Sequence, residues 1–192
     1  MFNSGVFTYP TIIFTKRYKK MLTKQDLCSM ALLKLGEKPL TSLNSDTVSA
    51  QLARTLYDIT IDSLLSAHPW RFATQNINIE KNQNDEFIIP ENVLRILRCS
   101  GHIYGNQIVS CSDNVKMLAV MRISSENFPS YFISLAATKL AIEFCIPLTG
   151  NQQILRTLIS LYESEFQNAK FIDSTTDVNS SIEQFSLINA RF

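Results

Sequence analysis

A chain of 192 residues is long enough for one well-buried core and short for two. Its 45% hydrophobic and 18% charged residues are those of an ordinary soluble globular protein, not of a disordered one. A net charge of +1, from 18 Lys+Arg against 17 Asp+Glu, leaves no global field to recruit nucleic acid or an anionic membrane.

Residues 1–20 read as an N-terminal extension outside the fold, and the working protein need not contain them. Their apolar stretch, Val6 to Phe14, precedes the basic run Lys16-Arg17-Tyr18-Lys19-Lys20, whereas a secretory signal puts its positive charge first. An upstream start codon would account for the segment; a basic arm that binds phosphate or lipid is the alternative. The main domain is expected over residues 21–172. Thr23 with Asp26 three residues on resembles a capping box, so a first helix is expected over residues 23–35. Gly36 closes it with a left-handed residue, and Pro39 doubles the stop. Asn44-Ser45-Asp46 supplies cap-type side chains for a second helix over residues 47–67, which Pro69 ends. Leu52, Leu56 and Ile59 line one row of that helix, while Gln51, Arg54, Asp58 and Asp62 form a polar back.

From Phe72 the period changes to two. Residues 73–123 read as a small antiparallel β-element: an alternating strand at 74–80, an extended entry at Phe87-Ile88-Ile89-Pro90, a β-branched strand at 93–99 and short strands up to residue 123. Gly105-Asn106 is a plausible hairpin tip. Helix returns over residues 129–146, apolar nearly all round, as a central helix ended by Pro147, with Leu148-Thr149-Gly150 as the turn. A last helix follows over residues 151–171. Residues 173–192 then read as an extended polar tail that carries spaced apolar anchors. The expected fold class is mainly α: a bundle of about four helices with the small β-element inserted between the second and third long helices. No apolar run approaches the ~18 residues that a membrane span requires.

Chemistry is sparse. The two histidines, His68 and His102, lack a nucleophile signature nearby. Cys99, His102 and Cys111 could supply three zinc ligands but lack a fourth. Asp58 and Asp62 share a helical face at the spacing of a carboxylate pair, although a solvated or subunit-facing surface is the better explanation of them. The four cysteines form no CxxC pair and look like reduced, mostly buried thiols of a cytosolic protein. Trp70, the single tryptophan, is expected to anchor the helix hairpin to the β-element. With no Walker loop, HExxH or G-x-S-x-G, the chain does not read as an enzyme, and neither a catalytic residue, a metal nor a cofactor is assigned.

The order of motifs is similar to that of a known family. Ala31-Leu32-Leu33-Lys34-Leu35-Gly36-Glu37-Lys38-Pro39-Leu40-Thr41-Ser42-Leu43, then His68-Pro69-Trp70-Arg71-Phe72-Ala73, then Ile89-Pro90-Glu91-Asn92-Val93-Leu94-Arg95-Ile96, then the helix ending Pro147-Leu148-Thr149-Gly150 resembles phage head-to-tail adaptors. The nearest likeness is to the tail tubular protein A family of short-tailed phages, with related adaptors in long-tailed phages and gene transfer agents. The resemblance runs from about Leu22 to Asp173 and rests on order and spacing, since each motif is short. It implies a non-enzymatic virion protein at the head–tail junction, made in the host cytoplasm. Such a protein forms a ring, commonly a dodecamer, beneath the portal protein. It extends the DNA channel, lets DNA pass without sequence-specific binding and carries a tail nozzle or stopper protein. No membrane is involved. By type, Phe185, Leu187, Ile188, Arg191 and Phe192 fit the portal-binding tail, and Gly36, Pro39, Trp70, Phe72, Pro147 and Gly150 fit structural anchors. A non-viral helical protein-interaction module, recognising another helix through the stripe on residues 151–171, is the alternative.

Overall fold

The computed structural model describes residues 22–175. Four helices, α1 (Lys24–Lys34), α2 (Val48–Ala67), α3 (Ser130–Thr149) and α4 (Gln152–Thr175), pack on one another, and a β-region is inserted between α2 and α3 and contacts the bundle mainly through α2. Six strands make up that region: β1 (Thr74–Glu80), β2 (Phe87–Ile88), β3 (Val93–Cys99), β4 (His102–Tyr104), β5 (Gln107–Val109) and β6 (Asn114–Met121). The fold is therefore not the mainly α bundle with a small insert that the sequence suggests. It is 51% helical and 19% strand, and the strands form two three-stranded antiparallel sheets, ordered β1-β6-β3 and β2-β5-β4.

The β-region is substantial because it owns a core. Alternation along β6 sends Val115, Met117, Ala119 and Met121 to one face, where they meet Ile79, Phe87, Ile89 and Ile108. Phe87 and Ile108 come from the smaller sheet, so the two sheets share one apolar layer. Val120 points the other way, into the helical core. β6 thus has a buried residue on each side, which is how one strand couples the two halves. Its polar start, Asn114 and Lys116, masks this in the sequence.

Local chemistry explains the helix ends. Thr23 and Asp26 form the expected reciprocal capping box on α1. At the other end Gly36, at φ 79°, donates to the Leu33 carbonyl and Glu37 to that of Leu32, a complete Schellman motif. The α2 cap is Thr47, one residue beyond the predicted cluster, its hydroxyl accepting from the Ala50 N–H. Pro39 is exposed in the connecting turn, where Gln25 donates to the Leu40 and Thr41 carbonyls.

Two helix limits differ from expectation. Pro147 does not end α3, which runs one residue pair further, to Thr149. A proline in the last turn forfeits a single backbone bond, and the stop is made by Gly150, at φ 58°, whose N–H donates to the Ile146 carbonyl. Likewise α4 continues to Thr175, so Asp173 belongs to the helix and not to a tail. By length and apolarity alone α3 could cross a membrane, contrary to the reading that no such stretch exists. Phe132, Leu135, Ala136, Ala137, Leu140, Ala141, Phe144 and Cys145 are nonetheless buried in the helical core, and α1, α2 and α4 all pack on this helix. Its apolarity is that of a central helix.

Candidate partner-binding site

The turn between α2 and β1 is the most elaborately held point of the molecule. Trp70 is fully buried, and its indole N–H donates to the Leu64 carbonyl at 3.0 Å, which answers the one polar group that burial would strand. Its ring meets Phe132 edge-on at 5.2 Å, Phe166 at 5.8 Å and His68 at 4.8 Å. Phe72, half-buried beside it, meets Phe132 at 4.9 Å. The ring contacts of Trp70 and Phe72 run to α3, to α4 and to Phe128 before α3, whereas the sequence predicts an anchor to the β-element.

Asp173 completes the joint from the far end of the chain. Its carboxylate is only 2% exposed and accepts from the Arg71 backbone N–H at 3.0 Å and from the Tyr131 hydroxyl at 2.6 Å. Burial, then the bond to Asp173, pushes the Tyr131 hydroxyl pKa upward, so the phenol stays a donor. Desolvation lowers the His68 pKa and favours neutral imidazole against the tryptophan edge. Sequence reasoning missed Asp173 by placing it in a polar tail. The signal was helical spacing: Leu158, Tyr162, Phe166, Ala169 and Asp173 continue one buried row at intervals of three and four.

Four elements thus converge where α4 ends, two residues beyond Asp173. The residues assigned to portal binding, Phe185, Leu187, Ile188, Arg191 and Phe192, lie outside the described residues.

The other candidate residues are not drawn into a site. Asp58 pairs with Lys24 at 2.7 Å, and Asp62 makes a two-pronged contact with Arg122, whose Nε lies 2.8 Å from Oδ1. The two carboxylates tie α2 to the start of α1 and the end of β6, and both line one open pocket, each already paired with a cation. Among the described residues no three His, Cys, Asp or Glu side chains come together to hold a metal, so Cys99, His102 and Cys111 are not assembled. Most of the helical stripe on α4 is already covered: Leu158 and Ala169 are buried, and Ile154, Leu155, Tyr162 and Phe166 pack on the helical core, while Leu161 stays exposed. A polar knot locks this contact. Glu165 accepts from Ser134 at 2.8 Å and from Thr138, and Lys34 donates to Thr138 at 2.6 Å.

A scan against protein-family models finds no match to this chain, and a search of curated proteins finds no similar sequence. Function therefore rests on the residues themselves and on the resemblance of their order.

Proposed function

We propose that this protein is a non-enzymatic head-to-tail adaptor of a phage virion. In this reading copies of the chain form a ring beneath the portal protein, extend the DNA channel and carry a tail nozzle or stopper protein. The observation that carries the proposal is a coincidence between resemblance and packing. The His68–Ala73 motif, the most distinctive of the resembling segments, is the same turn that clamps the end of α4 through Asp173. An adaptor whose C-terminal residues grip a portal needs them rooted on a rigid body, and this joint provides one. The near-neutral charge suits a channel wall that DNA must pass without sticking.

The test is native mass spectrometry of the purified chain with and without its cognate portal ring. A chain that adds to the portal in a ring's worth of copies supports the adaptor; one that ignores the portal overturns it. Removal of residues 176–192, which spares Asp173, should leave thermal melting of the monomer unchanged and abolish portal association. Undiminished association of the truncated chain would refute the role given to Phe185, Leu187, Ile188, Arg191 and Phe192.

A further inference from the structure

The outer face of α1 carries a feature that the adaptor reading does not use. Leu22, Asp26, Ser29, Met30 and Leu33 line an open groove of about 300 Å³, one side of a helix whose other side is packed into the core. Leu33 is 59% exposed there, on a helix whose remaining leucines are buried. Among the described residues these five line the groove, and Leu22 and Met30 also pack against the helical core.

We propose that the groove is the seat of the chain's own N-terminal apolar stretch, residues 6–14. Three observations point to that occupant. First, the groove begins at Leu22, where the described chain begins, and Leu22 is pinned there because its carbonyl accepts from the Ser125 hydroxyl at 2.9 Å. Second, the reach is right. From Leu22 to Leu33 is eleven residues, or about 16 Å along a helix, while the seven-residue connector 15–21 spans about 23 Å when extended. The connector can therefore fold back and lay the stretch anywhere along the groove. Third, the chemistry is complementary. Residues 6–14 bring Val6, Phe7, Tyr9, Ile12, Ile13 and Phe14 to an apolar surface. The one charged residue of the groove is the acidic Asp26, and the connector brings Lys16, Arg17, Lys19 and Lys20. The segment read from sequence as an appendage becomes a seal on α1, independent of any portal.

The experiment is a double-mutant cycle on thermal stability, run at two protein concentrations. Leu33→Asp in the full chain should lower Tm by about 3 °C or more, as should deletion of residues 1–20. Combining them should add nothing to the deletion alone, because Leu33 would then already face water. Full additivity, or no effect of Leu33→Asp in the full chain, overturns the proposal. So does a Tm loss that appears only at the higher concentration, which would assign the groove to a second copy. Because the deletion could itself impair folding, a photo-crosslinking phenylalanine analogue at position 33 of the full chain gives an independent reading. Crosslinks to residues 6–14 within a monomer are expected; crosslinks only between chains, or none to that segment, refute it.

Discussion

The two cores of this protein are built by different rules. The helical core is large and closed around aromatic rings, with Trp70, Phe128, Phe132 and Phe144 fully buried and the polar groups at its edge bonded. The β-core is a thin layer between two small sheets, and the outer sheet has strands of two and three residues with exposed backs. Strands this short are not stable alone; they hold because Phe87 and Ile108 reach through to β6. The helical half therefore sets global stability, and the outer sheet is the part that can open without unfolding the rest.

The sharpest way to break that contrast is Trp70→Ala. It removes the ring shared by α2, α3 and α4 and strands no partner except the Leu64 carbonyl. Stability to urea, followed by far-UV circular dichroism, should fall by about 4 kcal/mol. A loss below about 1 kcal/mol would mean that the joint is not where the helical core is tied.

Phe87→Ala tests the other core. The expected cost is about 3 kcal/mol locally, and its distribution matters more than its size. Amide hydrogen exchange should speed up in β2, β4 and β5 while α3 keeps its protection. Uniform acceleration in both halves would show that the two cores unfold as one, and the contrast would collapse.

Alkaline titration sharpens the comparison within the helical core. Burial pushes the Cys28 thiol from 9.0 up to about 12 and the Tyr57 hydroxyl from 10.0 up to about 12. Both are held in their neutral, protonated forms by the fold. The unfolded chain releases these protons first, so their contribution is fully present below about pH 9 and is lost as pH rises toward 12. Stability measured against pH should be flat up to that point and then decline. With Cys28→Ala the decline should begin about one unit later, where an unfolded tyrosine starts to ionise. An unchanged profile would place the titration elsewhere.

The same physics separates what the sequence disclosed from what it hid. The helices were legible because their stops are local: the Gly36 turn and the Thr23–Asp26 box need no knowledge of the rest of the chain. Rarity and size marked Trp70 as a residue to bury, but its partners on α3 and α4 could not be read from them. The β-core was not legible, because its members lie far apart in sequence and β2, β4 and β5 are too short to show a period. Asp173 was hidden for a related reason. A buried carboxylate looks like a solvated one until the Arg71 amide and the Tyr131 hydroxyl, both distant in the chain, are known to meet it. The helix limits failed where a side chain was read without its position, as with Pro147, which breaks a helix interior but not its final turn.

The smallest effect is expected on the back of the outer sheet, and it is informative because of its neighbours. In the register Phe87–Ile108–Ile103 only Phe87 and Ile108 face inward, Ile103 being 44% exposed, while Ile88, Gln107 and Tyr104 form the adjacent row. Tyr104 is 68% exposed and Ile88 43%, although Ile88 directly follows the buried Phe87. Ile88→Thr and Tyr104→Thr keep β-favouring side chains and remove apolar area that water already reaches. Each should change stability by less than about 0.5 kcal/mol. A loss several times larger would mean that this row is covered in the working protein, and would move the boundary between its two regions outward to the assembly.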